Sequence, residues 1–138
     1  MQNSSGTGTL EKILIVEDDV LSQEVIAMFL SGLYEPSITG SGEEAVKLLK
    51  ENNFPLVLLD INLGSGMTGI DVVKMIRKMH DKDKSLVIAT TAFVMESNKR
   101  EFLSAGFDDY LAKPFSRREL LAVIDKNIKK RSNFSAPS

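Results

Sequence analysis

The chain has 138 residues, 43% of them apolar and 26% charged, with a formal charge of -2, a composition typical of one soluble globular domain. It has no cysteine, which excludes disulfides and thiolate metal sites, and its single histidine, His80, argues against zinc or histidine-based catalysis. The charge argues against nucleic-acid binding across the whole surface; with no membrane-length apolar run and no basic-then-apolar leader, the expected location is the cytoplasm, away from any membrane.

The small polar stretch at the start and "SNFSAPS" at the end read as flexible tails over 1–10 and 132–138, flanking one domain over 11–131. "KILIVEDD" is the first strand, with Ile13, Ile15 and Val16 and a run of acids at its end. Asp19 then caps a helix carrying Leu21, Val25, Ile26, Phe29 and Leu30. Residues Tyr34 to Thr39 form a weak strand, and Pro36 suggests a sheet edge. Ser41 and Glu44 have capping-box spacing before a helix with Ala45, Val46, Leu48 and Leu49. "PLVLLD" is a strong buried strand ending at Asp60. A glycine-rich loop follows, then a helix directing Ile70, Val73, Ile76 and Met79 inward. "SLVIATTA" is the fourth strand, and Met95 to Ala105 a short helix stopped by Gly106. "DDYLAKPF" holds a short fifth strand. Ser116 and Glu119 open the last helix, with Leu120, Leu121, Ile124 and Ile128.

Five alternations of strand and helix imply a parallel α/β sheet with helices on both faces. Ligands in such sheets bind at the carboxyl ends of the strands, near a topological switch point. Those ends supply Glu17 and Asp18, Asp60, Thr91 and Lys113. Any one acid at a strand end is ordinarily a solvated loop residue or a helix cap. Three converging carboxylates repel one another unless a cation joins them, and an all-oxygen set suits Mg2+, or Mn2+, better than zinc. Lys113 adds a point positive charge and Thr91 a hydroxyl donor. The set fits a site where Asp60 accepts a phosphoryl group as nucleophile.

On "ILIVEDD", "LVLLDINL", "ATTA" and "YLAKPF", in this order, the stretch from about Lys12 to Lys130 resembles a response-regulator receiver domain. The resemblance implies a flavodoxin-like, doubly wound (βα)5 fold with a five-stranded parallel sheet. It implies that Asp60 is the phosphoacceptor, with Glu17 and Asp18 as the acidic pair and Asp18 the more direct Mg2+ ligand. It implies that the Asn62 backbone carbonyl is a further ligand, and that Thr91 and Lys113 contact the phosphoryl group. Tyr110 matches the switch aromatic that turns inward as Thr91 moves, and Ala92 the small residue leaving the phosphate room. The implied donor is a histidine kinase or a histidine phosphotransfer domain. The face formed by the fourth helix, fifth strand and fifth helix is the implied contact for an output partner or a homodimer. Bacteria are the expected source.

The sequence departs from the family pattern at Leu63-Gly64-Ser65-Gly66-Met67-Thr68-Gly69, where the usual proline is absent and the loop is one residue longer. Phe93, two places after Thr91, matches a position that tunes dephosphorylation in the family, and an aromatic there is expected to screen Asp60 from water and give a comparatively long-lived phosphoryl group. Whether Lys113-Pro114 is cis is left open by the sequence. His80 reads as a surface residue, Met75 and Met79 as core and rim filler, and Lys129 to Arg131 as a solvated helix end. Two other readings stay open. A haloacid-dehalogenase-like phosphatase also places a nucleophilic Asp after a strand, but its second acid would stand where Asn62 is. An interaction module would bind partners without phosphorylation, against which stands the complete acid, threonine and lysine set. With no room for an output domain, the chain is expected to be a stand-alone receiver or one excised from a larger protein.

Overall fold

A computed structural model describes residues 10–79, 85–92 and 96–135, with side chains for 10–79, 85–92 and 98–131. Its elements are β1 (Glu11–Val16), α1 (Val20–Leu30), β2 (Tyr34–Thr39), α2 (Gly42–Glu51), β3 (Leu56–Asp60), α3 (Gly69–Met79), β4 (Leu86–Thr91), α4 (Glu96–Ala105), β5 (Asp109–Ala112) and α5 (Arg117–Ser135). The strands form one parallel sheet in the order β2-β1-β3-β4-β5. This is a doubly wound, flavodoxin-like order, as the family resemblance implied, with the switch point between β1 and β3. The proline-bearing β2 is an edge strand, as its weak pattern suggested.

Side-chain alternation divides the core. Ile13, Ile15, Leu56, Leu58 and Ile88 pack on α1 and α5 through Ile26, Leu30, Leu120 and Ile124. Leu14, Val16, Val57, Leu59, Val87 and Ala89 pack on α2, α3 and α4 through Val46, Leu49, Val73, Ile76 and Phe102. β3 and β4 are buried along their whole length, which is why they read as unbroken apolar runs.

Local signals set the helix ends. Ser116 and Glu119 bond each other's backbone N–H groups at 3.0 and 2.9 Å, a complete capping box. Ser41 caps α2, accepting the Glu44 N–H at 3.1 Å, but the Glu44 carboxylate turns to the Thr39 hydroxyl instead of closing the box. Thr68 and Asp71 form a reciprocal cap on α3 that the sequence reading missed. Gly106, at φ 125°, ends α4 while Phe107 N–H reaches back to Phe102 O.

Three expectations need correction. On α1, Leu21 is 68% and Val25 38% exposed, so only Ile26 and Leu30 are buried there. On α5, Ile128 is exposed, and Asn127 is buried instead, donating to Asp109 and to Val123 O. The Lys129 to Arg131 run does not end α5, which continues to Ser135, and Arg131 pairs with Asp108 at 3.6 Å. His80, Phe93 and Met95, like 1–9 and 136–138, lie outside the described residues.

Candidate functional site

The acids and the lysine meet because of strand parity and register. β1 pairs with β3 so that Val16 faces Leu59, which brings the ends of both strands level. Glu17, Asp60 and Lys113 continue the rows of Ile15, Leu58 and Leu111, all on the α1/α5 side of the sheet. Thr91 continues the opposite row, that of Val87 and Ala89, and Tyr110 is opposite Ala89 on the same side. The carboxyl edge therefore carries an ionic group on one face and the threonine and tyrosine on the other.

Lys113 Nζ donates to Glu17 Oε1 at 2.8 Å and to Asp60 Oδ2 at 3.0 Å. Glu17 Oε2 accepts the Asp19 N–H and Asp60 Oδ1 the Asn62 N–H, each at 3.0 Å. Glu17 and Asp60 are buried, at 2% and 4% exposure, whereas Asp18 is exposed. Carboxylate oxygens of Glu17, Asp18 and Asp60 all lie within 4.8 Å of one another. Lys113 follows β5 through its N–H bond to Thr91 O at 2.8 Å, and its bond to Pro114 is cis.

Burial pushes the Glu17 carboxyl above the usual carboxylate range, with the Asp60 charge adding to the rise and the Lys113 and Asp19 hydrogen bonds opposing it. Burial alone would lower the Lys113 pKa, but its bonds and charge contacts with Glu17 and Asp60 outweigh that and raise it. The amine therefore stays charged. One ammonium against three carboxylates leaves the cluster net negative, and its donors are all oxygen. That fits a hard divalent cation.

Thr91 is buried and Ala92 exposed at the end of β4. Tyr110 is partly buried, with Lys99 Nζ 5.4 Å from its ring centroid, a cation–π distance. Three neighbours of the site were given no role by the sequence reading. Gln23 of α1 donates to Glu17 O at 2.6 Å, Glu43 of α2 accepts the Met67 N–H at 3.0 Å, and Gly69 N–H bonds Ile61 O at 3.0 Å. Gly69 had a legible signal, a glycine opening the helix after the loop. Gln23 and Glu43 had none, since both sit at ordinary surface positions of helical patterns.

Fold and edge together define a doubly wound domain with a cation-compatible acidic cleft at its switch point. The family profile described as the response regulator receiver domain matches residues 13–125. The chain belongs to that family, and is a receiver domain of two-component signalling, a phosphoacceptor fold. It is 35% identical to a hybrid signal transduction histidine kinase G of Dictyostelium discoideum, over 87% of this chain and 4% of that kinase. It is 32% identical to the transcriptional regulatory protein ResD of Bacillus subtilis, over 90% of this chain and 50% of that regulator. The chain thus spans a small part of the first relative and half of the second.

Among solved structures, the receiver domain of a Pseudomonas aeruginosa sensor histidine kinase has a TM-score of 0.79 at 31% identity, covering 88% of this chain and 99% of that one. That structure holds a magnesium ion coordinated in its active site cleft. A CheY-like receiver from Methanospirillum hungatei has a TM-score of 0.80 at 28% identity, covering 92% and 100%. No helix among the described residues is long and apolar enough to cross a membrane.

Proposed function

We propose that Asp60 accepts the phosphoryl group, that Asp18, Glu17, Asp60 and the Asn62 carbonyl hold Mg2+, and that Thr91 and Lys113 stabilise the product. The observation that carries this reading is the Lys113 ammonium shared between Glu17 and Asp60 beside the exposed Asp18. Both Glu17 oxygens already have partners, and Asp18 is the cluster's exposed member, which supports Asp18 as the more direct ligand. When bound, the cation offsets carboxylate repulsion and charge on the phosphoryl oxygens; Mn2+ serves the same role.

A carboxylate oxygen of Asp60 attacks phosphorus as the P–N bond to the donor imidazole breaks, giving an acyl phosphate and a free imidazole. Lys113 shifts its ion pair to the new phosphoryl oxygens, and the Thr91 hydroxyl donates to them. Tyr110 turns inward and the face of α4, β5 and α5 changes toward its output partner or a second copy. Later attack by water on phosphorus returns Asp60 and inorganic phosphate, a slow reversal that makes the domain a switch and not a turnover enzyme.

The donor is a histidine kinase or a histidine phosphotransfer domain, and α1 offers its dock. Val20, Leu21 and Met28 are 63%, 68% and 70% exposed. Beside them a cleft lined by Leu21, Val25, Phe29, Ala92, Pro114 and Phe115 leads to Lys113. An apolar patch next to a phosphoacceptor suits a helix that presents a phosphohistidine.

Intact mass after incubation with acetyl phosphate tests the chemistry. A single phosphoryl adduct that requires Mg2+ and vanishes in Asp60→Asn is expected. No adduct where a control receiver labels, or an undiminished adduct in Asp60→Asn, refutes the assignment.

A further inference from the structure

The loop between β3 and α3 is held from two sides. Gly64 and Gly66 adopt φ of 79° and 84°, a region that side chains disfavour. A Cβ on Gly64 would lie 3.0 Å from Asp18 Oδ2, and one on Gly66 would lie 2.8 Å from Glu43 Oε2. The loop therefore threads between two carboxylates, one in the acidic cluster and one in the first turn of α2. Glu43 Oε2 also accepts the Met67 N–H at 3.0 Å. The start of α2 packs directly on the same residue, since a Cβ on Gly42 would meet Met67 Cβ at 2.8 Å. Glu17 and Asp60 are buried and fixed by Lys113. Asp18 is exposed, and its Oδ2 occupies the space that a side chain on Gly64 would need, so loop and carboxylate are neighbours.

We infer that Glu43 is a positioning residue for the cation site: through Met67 it holds the elongated loop against Asp18 and so restricts that carboxylate to its ligating orientation. The inference rests on the receiver reading above. A ligand held in place before binding loses less freedom when the cation arrives, so releasing the loop weakens binding without touching any ligand. Glu43 is exposed and far from the phosphoryl acceptor in sequence, and the loop it holds is the segment where this chain departs from the family pattern.

The test is Mg2+ titration followed by amide chemical shifts, on the parent, Asp18→Asn, Glu43→Ala and Glu43→Gln. Glutamine keeps an oxygen to accept the Met67 N–H but removes the charge. Affinity is expected to fall about three- to tenfold in Glu43→Ala, below the full effect of losing a direct partner of a ligand, and to stay within about twofold of the parent in Glu43→Gln. Amide exchange at Met67 should quicken in Glu43→Ala alone. Equal weakening in both variants means that the charge of Glu43 attracts the cation at a distance, and overturns the inference. Parent-like binding by Glu43→Ala does the same while leaving the receiver reading intact. A parent that binds no Mg2+, or binds equally well after Asp18→Asn, overturns both.

Discussion

Gly69 leaves no room for a side chain beside the site, and Gly69→Ala measures how rigidly the turn after Asp60 is held. An added Cβ would lie 2.3 Å from Asp60 O, 2.8 Å from Ile61 Cα and 3.0 Å from Asp60 C. All three atoms are backbone, so no side-chain rotation relieves the overlap. Restoring ordinary contact requires α3 and the turn after Asp60 to separate by about 1 Å, the scale on which overpacked cores lose about 1–3 kcal/mol or more. Alanine recovers about 0.5–1 kcal/mol of helix propensity at the first position of α3. The net expectation is a loss of about 1 kcal/mol, or roughly 4 °C in Tm for a domain of this size. The displaced atoms belong to Asp60 itself, so labelling by acetyl phosphate should slow by about tenfold or more, since small misplacements of a reacting group are costly. Urea unfolding and timed intact-mass labelling read the two effects. Gly32→Ala is the control, because Gly32 has φ 81° but nothing within 4 Å of its would-be Cβ. It should lose about 1 kcal/mol from backbone strain and label at the parent rate. Stability and labelling of Gly69→Ala both equal to the parent would refute the packing argument.

Lys113→Ala strands two buried carboxylates, and with the lysine a quarter exposed the loss should be about 2 kcal/mol in unfolding without divalent ions. Mg2+ should then raise its Tm more than that of the parent; an equal rise in both argues against a shared cation site. Leu21→Asp with Met28→Asp should slow phosphotransfer from a histidine phosphotransfer domain but not from acetyl phosphate, and leave Tm within a few degrees, because both side chains are mostly exposed. Equal rates from both donors would remove α1 as the dock. Asp108→Ala takes the acceptor from the buried Val87 N–H and the partner from Arg77, each bonded at 2.8–2.9 Å, and should cost about 2–3 kcal/mol in urea unfolding. A loss below about 0.5 kcal/mol would mean that water replaces the carboxylate without penalty.

Much of the fold was legible because its signals are local. Each of β3 and β4 is an unbroken apolar run, the caps Asp19, Ser41 and Ser116 stand at their helices' starts, and Gly106 stops α4. The convergence of Glu17, Asp60 and Lys113 was legible too, since parallel strands of an open α/β sheet end on one edge. Long-range polar links left no such trace. Arg77 bonds Gly106 O, Ser85 O and Asp108, which flank three different elements, and Asn127 is buried against Asp109 although an asparagine ordinarily reads as surface. A pattern of apolar residues records which face is buried, and not which polar partner waits there.

The misreading of α1 has a different origin. Leu21 and Val25 are apolar like Ile26 and Leu30, and periodicity assigns apolar residues to the core whenever they are close to the inward stripe. The sheet takes Ile26 and Leu30 of α1 fully and Phe29 in part, and α5 fills the rest of that face through Leu120 and Ile124. The surplus apolar surface is therefore left in water, with Leu21 and Val25 on the side of the helix beside Lys113. Leucine and methionine exposed to this extent contribute little to the domain's own packing. The proposed partner, bringing a phosphohistidine to Asp60, would bury the same patch that α1 leaves uncovered.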